Sequence, residues 1–190
     1  MSFCFVFFIT LFFLSIFLQE TYSIEDCKYA HDMTTNDGHW SPVPSNAVWN
    51  TNGLTLSNTS WTDVYLDTLL TKPCSITLDL MDYDVSSNPI IFCYLFDTSN
   101  NRLFGIQQTT RQGTYTVISD VQGSDSNHVS YQIPKGATCR IEIKTNSIDL
   151  YVNNTLMISK SYTIASSLKY AVLSGSSRSM TIKNLKIKPL

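Results

Sequence analysis

Basic residues are sparse in this 190-residue chain, and they do not cluster. Lys and Arg together number 13 against 15 Asp and Glu, which gives a formal net charge of −2 at pH 7. Proteins that bind nucleic acid draw much of their affinity from clustered Lys and Arg beside phosphates. No such cluster occurs here, so nucleic acid is not an expected partner.

The sequence also lacks the motifs of several common catalytic and metal sites. It has no Gly-x-Ser-x-Gly elbow to present a nucleophilic serine, no glycine-rich phosphate loop and no Cys-x-x-Cys pair for zinc. The three histidines, His31, His39 and His128, all lie in polar stretches. The sequence therefore gives no support to a hydrolase triad or to a zinc centre.

Charge is missing from the N-terminus as well, where residues 3–18 are almost wholly apolar and the first charged side chain is Glu20. This run is shorter than the roughly 20 residues of a spanning helix, and residues 21–23 suit a signal peptidase. Residues 1–23 are predicted to be a signal peptide or an N-terminal anchor, although a signal peptide normally begins with Lys or Arg. We expect a secreted, cell-surface or virion protein that touches a membrane only through residues 1–23, if they are uncleaved.

What the chain does contain is alternation with a period of two, which predicts β-strands with one buried face. Residues 139–144 and 148–152 both alternate, and Asn153 and Asn154 then supply two residues that tolerate the positive φ of a type I′ turn. Residues 90–96 are apolar on both faces, which is typical of a strand covered on both sides. A change of parity near Lys183 and Asn184 predicts a β-bulge.

The strand pattern predicts one all-β domain, an antiparallel two-sheet β-sandwich of roughly ten to thirteen strands. Residues 24–52 are polar and contain turn-forming residues, so we expect an irregular approach segment with one edge strand. The β-sandwich domain is assigned to residues 53–190.

Four of the five cysteines follow residue 23, and they leave two alternatives open. Cys27, Cys74, Cys93 and Cys139 could form disulfides in three pairings. Cys74 and Cys139, however, share parity with apolar neighbours and are expected to face the core, where a free cysteine is a good small hydrophobe.

Two segments of the chain resemble a known fold family. Residues 140–144, followed by the Leu-Tyr-Val-Asn of residues 150–153, resemble the paired strands of concanavalin A-like jelly rolls, including laminin G-like domains and 3-keto-disaccharide hydrolases. Residues 180–190 resemble their closing strand, and residues 49–54 their first strand. The resemblance covers about residues 49–190 and implies a jelly roll, a fold that hosts lectins, adhesion modules, viral proteins and glycosidases alike.

A glycosidase needs two carboxylates facing one sugar. Laminarinase-like members of the family carry them as Glu-x-Asp-x-x-Glu, and the nearest run here, residues 79–84, lacks both glutamates. Asp82 and Asp84 share a face of this run. They are interpreted as solvated aspartates at a strand end, with a calcium ligand pair and a catalytic pair as alternatives.

A sugar-binding site requires fewer specific groups than a glycosidase active site, namely an exposed aromatic ring flanked by polar side chains. Trp40 and Trp61 stand in polar surroundings, and each is either a ligand contact or an anchor in the core or a loop. Tyr151 alternates with Leu150 and Val152, so it is expected on the outer face of a sheet.

These observations lead to a functional hypothesis with two alternatives. The leading hypothesis is an exported, non-enzymatic module that binds a glycan or another surface ligand in an adhesion, lectin-like or virion receptor-binding role. Its ligand-binding residues would be Trp40, Trp61, Tyr151, Asp82 and Asp84, with no cofactor except, as one option, calcium. The first alternative is a structural or assembly protein of a cell surface or virion, and the second is a glycoside hydrolase that uses Asp82 with Asp84 or Glu142.

Overall fold

A computed structural model describes residues 29–57, 64–84, 89–110, 116–120, 127–161, 167–174 and 178–190, which form strands and their connections. In chain order the strands are β1 (Tyr29–His31), β2 (Trp40–Ser41), β3 (Ala47–Asn50), β4 (Gly53–Ser57), β5 (Val64–Leu66), β6 (Leu70–Thr71), β7 (Cys74–Tyr83), β8 (Ile90–Phe96), β9 (Arg102–Thr109), β10 (Thr116–Asp120), β11 (Asn127–Ser130), β12 (Ala137–Ile143), β13 (Ser147–Val152), β14 (Thr155–Ser161), β15 (Ser167–Ser174) and β16 (Ser179–Pro189). The part of the chain that is described holds no helix of the length and apolarity needed to cross a membrane.

The strands form two sheets packed face to face. Sheet I has the order β14-β13-β12-β7-β16-β4-β3, with β1 also paired to β16. Sheet II has the order β11-β10-β9-β8-β15-β5-β2, with β6 also paired to β15. Every described pairing is antiparallel, and the buried apolar side chains between the sheets form one core. The prediction of an antiparallel two-sheet sandwich is confirmed.

Alternation in β12 and β13 produces the predicted hairpin. Cys139, Ile141 and Ile143 enter the core from β12, and the polar residues between them face outward. Asn153 and Asn154, which follow β13, have φ values of 47° and 65°. Positive φ at both central residues is what a type I′ turn requires, so this prediction is confirmed as well.

The last strand contains the predicted bulge. The register of β16 on β7 shifts between Lys183 and Lys186, and Asn184 has a φ of 52°. The extra residue changes the parity, so that Met180, Ile182, Leu185 and Ile187 all point into the core.

Strand β8 is covered on both faces, as its composition predicts. Phe92, Cys93 and Leu95 pack into the core between the sheets. Ile91, Tyr94 and Phe96 instead form a second cluster on the outer side of sheet II.

Three short strands, β1, β2 and β3, lie within residues 24–52, where the sequence predicted an irregular segment with one edge strand. Each of them extends a sheet by pairing with another strand: β1 pairs with β16, β2 with β5, and β3 with its neighbour in sequence, β4. Strands of two to four residues hold too little alternation to be recognised, because their partners determine their conformation.

Three of the cysteines are free thiols. Cys74, Cys93 and Cys139 are all fully buried in the core, and Cys27 lies outside the described residues. Burial raises the pKa of Cys139 to about 12, with a contribution from the charge of Asp79. Burial also raises the pKa of Cys93, helped by the neighbouring thiols of Cys74 and Cys139. Ionisation, which thiol reactivity requires, is therefore disfavoured at both sites.

Candidate functional site: a carboxylate pair on sheet I

Two carboxylates stand opposite each other on the outer face of sheet I. Glu142 on β12 pairs in register with Asp149 on β13, across the turn at residues 144–146. Their neighbours along each strand, including Ile141, Ile143 and Leu150, point into the core. Residues directly opposite in an antiparallel pair have Cβ atoms about 5 Å apart, so the two carboxylates lie side by side.

A single ammonium group bridges the pair. Lys144 Nζ lies 3.3 Å from Glu142 Oε2 and 2.5 Å from Asp149 Oδ2. These two distances place the two bridged oxygens at most about 6 Å apart, an upper limit that includes the 5–5.5 Å separation of the two carboxyl groups in retaining glycosidases. The guanidinium of Arg140 makes a further ion pair with Glu142.

The two acids are largely shielded, while the lysine above them is open to solvent. The exposed fraction of the side chain is 14% for Glu142, 7% for Asp149 and 44% for Lys144. Burial opposes ionisation of Asp149, but hydrogen bonds donated by Lys144 and by the Ser159 hydroxyl (2.6 Å) outweigh it and lower the pKa of Asp149. Asp149 is therefore ionised at neutral pH.

Tyr151 lies beside this pair on the same face, as the sequence predicted. It is half-buried, and the Arg140 guanidinium lies 3.9 Å from the centre of its ring. The cation covers one side of the ring, so Tyr151 both positions Arg140 and contributes a partly open aromatic surface.

Asp82 and Asp84 lie at the opposite end of β7. Asp82 forms an ion pair with Lys135 at 2.5 Å, and Asp84 accepts a hydrogen bond from the Ser179 hydroxyl at 3.0 Å. Hydrogen bonding to Lys135, despite slight burial, lowers the pKa of Asp82. Their part in ligand binding stays a prediction. In the described ranges no three His, Cys, Asp or Glu side chains converge as a metal site would require.

The pairing of Asp82 with Glu142 as catalytic acids does not fit the register. Glu142 stands opposite Ser75 at the start of β7, seven residues from Asp82. At 3.3 Å per residue this separation is about 20 Å, too far for two groups acting on one glycosidic bond.

The two tryptophans proposed as sugar platforms have different outcomes. Trp40 is 3% exposed, packs edge-on against Tyr170 and donates a hydrogen bond from its indole N–H to Tyr29. It therefore anchors the core, and no sugar can reach its ring. Trp61 lies outside the described residues, so its role stays a prediction.

The outer face of sheet II differs sharply from that of sheet I. Its aromatic face consists of Tyr65, Ile91, Tyr94, Phe96 and Ala171. Tyr94 lies directly against Gly105, where an added Cβ would be 3.0 Å from the ring, and Arg102 lies 5.0 Å from its centre. Sequence reasoning missed this face, because an apolar run does not reveal which residues face outward.

Comparison with known proteins gives relatives in structure alone. No protein-family model and no curated sequence matches the chain. Among solved structures, the chain is similar to the Crh5 transglycosylase in complex with NAG (TM-score 0.65, 8% identity, 85% of this chain and 83% of that one). It is also similar to a glycosyl hydrolase family protein from Mycobacterium fortuitum (0.62, 7%, 85% and 99%) and to the carbohydrate-binding module CBM66 from Bacillus subtilis (0.55, 10%, 79% and 95%).

These comparisons correct the functional hypothesis drawn from the sequence. The leading prediction of a non-enzymatic binding module is wrong, because the structures similar to this chain include a transglycosylase and glycosyl hydrolases. The glycoside-active alternative is the better supported one. At this level of identity the likeness shows the fold alone, which is a concanavalin A-like two-sheet sandwich.

Proposed function

We propose that this protein cleaves or transfers glycosidic bonds, with Asp149 as the nucleophile and Glu142 as the acid and base. The observation that carries the proposal is the bridged carboxylate pair on the outer face of sheet I. Support also comes from the fold, which the chain shares with a transglycosylase and a glycosyl hydrolase. A glycan is the partner that both observations favour.

The chemistry follows the two-step route of retaining glycosidases. Asp149 attacks the anomeric carbon while the glycosidic bond breaks and Glu142 gives its proton to the departing oxygen, which leaves a glycosyl ester on Asp149. Glu142, now ionised, then takes a proton from water as that water attacks the same carbon, and Asp149 leaves as a carboxylate. A sugar hydroxyl in place of water gives transfer instead of hydrolysis.

The electrostatics of the pair support this division of roles. The nucleophile must be ionised, and the lowered pKa of Asp149 satisfies this condition. The acid must hold a proton, whereas Glu142 is paired with the cations Lys144 and Arg140. Both cations therefore have to leave Glu142 when substrate enters. The Ser159 hydroxyl still donates its hydrogen bond to Asp149 after Lys144 has left.

The test is a turnover assay of the purified chain on a panel of neutral and acidic oligosaccharides, in which the release of reducing ends is measured. We expect Asp149→Asn and Glu142→Gln each to lower kcat by about a thousandfold or more, the scale of losing an essential catalytic group. A 2-fluoro glycosyl donor should add the mass of one sugar to the wild type and leave Asp149→Asn unmodified.

Asp67→Asn is the control, because Asp67 is an exposed aspartate that follows β5 on sheet II, whereas Glu142 and Asp149 lie on sheet I. It should keep wild-type turnover. A folded wild-type protein that turns over no glycan, or variants at Asp149 and Glu142 that stay fully active, would overturn the proposal.

A further inference from the structure

Positive charge is concentrated on the outer face of sheet I, although the chain as a whole carries a formal charge of −2. Strands β7, β12, β13 and β16, with the residue that follows β12, place five cations and four anions on this side. The cations are Arg140, Lys144, Lys183, Lys186 and Lys188, and the anions are Asp79, Asp82, Glu142 and Asp149. Asp82 is already paired with Lys135, which lies outside these strands. We call this surface the charged face. Its positive excess opposes the sign of the whole protein.

The cations of β16 are spaced to reach a ligand bound at the carboxylates. Lys188 stands opposite Ser75 on β7, which in turn stands opposite Glu142 on β12. Lys186 lies one row further, in line with Thr77 and Arg140. Two strand spacings amount to about 10 Å, which is within the span of a short oligosaccharide centred on the carboxylate pair.

These two lysines are available to a ligand. Both Lys186 and Lys188 are exposed, and neither has an acidic partner within the described ranges. Lys183 differs, since its ammonium donates a hydrogen bond to the Thr51 carbonyl at 2.9 Å. The bulge at Asn184 restores the parity that places Lys186 and Lys188 on the outer side.

An unsatisfied hydroxyl marks the middle of this row. Ser75 is 2% exposed, and its Oγ has no hydrogen-bond partner among the described residues. A buried polar atom without a partner costs about 1–3 kcal/mol, and native proteins contain few of them. Ser75 stands between Lys188 and Glu142, and a ligand can give its hydroxyl a partner only when the side chains that cover it move aside.

We propose that the charged face takes an anionic saccharide, one that carries carboxylate or sulfate groups, and holds its acid groups with Lys144, Lys186 and Lys188. The assignment of this saccharide as a substrate rests on the proposed function. An acid group of the ligand competes with Glu142 and Asp149 for Lys144, whose long and half-exposed side chain can turn to meet it. A neutral sugar offers Lys144 no such exchange.

The test measures binding separately from turnover, by calorimetry on the full chain and on Asp149→Asn. The probes are a heparin-derived hexasaccharide, oligogalacturonate and a neutral cello-oligosaccharide. We expect both anionic probes to bind, and the Lys186→Gln/Lys188→Gln variant to bind them about tenfold or more weakly. Affinity should also fall as salt increases.

The matched control is Arg102→Gln/Lys169→Gln, which removes the same charge from sheet II. Arg102 lies 5.0 Å from the centre of the Tyr94 ring, and Lys169 contacts Asn100. An equal loss of affinity in this control, equal binding of the neutral probe, or equally tight binding of single-stranded DNA would overturn the inference. Binding of the anionic probes without turnover of any glycan would contradict the proposed function but not this inference. Turnover of glycans without preferential binding of the anionic probes would contradict this inference but not the proposed function.

Discussion

The outer faces of the two sheets have opposite characters. Sheet I presents the charged face, where charged side chains alternate with core residues in β12 and in the second half of β16. Sheet II presents the aromatic face, where Ile91, Tyr94 and Phe96 are each less than 10% exposed. The difference separates two tasks. Apolar packing on sheet II contributes stability, whereas the charges of sheet I add little stability and supply the groups that chemistry requires.

The largest expected effect tests the aromatic face. Phe96→Ala should lower the free energy of unfolding by about 3–4 kcal/mol, because Phe96 is 2% exposed and lies 4.8 Å from Tyr94 and 5.2 Å from Tyr65, centre to centre. Tyr151→Ala on the charged face should cost roughly 1 kcal/mol, because Tyr151 is half-buried. Urea unfolding of both variants gives the comparison, and equal costs would contradict it.

A smaller effect is expected where Tyr94 meets Gly105. In Gly105→Ala the new Cβ would lie 3.0 Å from the ring of Tyr94, so the ring must shift, at a cost of about 1–3 kcal/mol. The same substitution should cost less when Tyr94 is already Leu. A double-mutant cycle by urea unfolding measures this coupling, and a coupling of zero would mean that the ring is not the cause.

The third prediction concerns the pH dependence of the charged face. The pKa of Asp149 is lowered in the folded protein, so its contribution to stability is present above the unfolded value of about 3.9 and is lost as the pH falls through the folded value. Between pH 5 and pH 2, the free energy of unfolding should therefore decrease by about 1 kcal/mol less in Asp149→Asn than in the wild type.

Ser159→Ala provides an intermediate case, because it removes one of the hydrogen bonds that lower the pKa of Asp149. Its decrease in unfolding free energy between pH 5 and pH 2 should lie between those of the wild type and Asp149→Asn. An equal decrease in all three proteins would show that the ionisation of Asp149 does not contribute to folding stability.

The smallest effect compares the turns of the two sheets. Asn154, after β13, and Asn100, after β8, both have a φ of 65°. Asn154→Gly should raise the free energy of unfolding by roughly 0.5 kcal/mol, because glycine adopts positive φ without strain. Asn100→Gly should gain less, since Asn100 also accepts a hydrogen bond from Lys169. Thermal unfolding compares the stability gained by the two variants, and a larger gain in Asn100→Gly than in Asn154→Gly would contradict this prediction.

Sequence reasoning succeeded where a pattern is local. The hairpin of β12 and β13, the turn at Asn153 and Asn154, and the bulge at Asn184 are all confirmed, because alternation and positive φ depend on adjacent residues. It failed for β1, β2 and β3, whose conformation is determined by partner strands. It also left open which side of β8 faces the core, since this depends on register with β9 and β15.

The candidate site was only half recognised from the sequence. Glu142 was considered, but with Asp82, which shares neither its row nor its end of the sheet. Asp149 was missed, although a signal for it existed. Once residues 139–144 and 148–152 are taken as a hairpin about its turn, Glu142 and Asp149 fall at equivalent distances on either side. Trp40 was misleading, because polar neighbours in sequence do not exclude a buried ring.

The buried thiols give this sandwich a built-in reporter of its own opening. Cys74 and Cys139 lie on neighbouring strands of sheet I, and Cys93 lies on sheet II, so each is shielded by the contact between the sheets. An alkylating reagent can reach them only when the sheets separate. With Cys4 and Cys27 replaced by Ser, the rate of alkylation at each thiol would time that separation at native positions inside the core, with no engineered reporter residue.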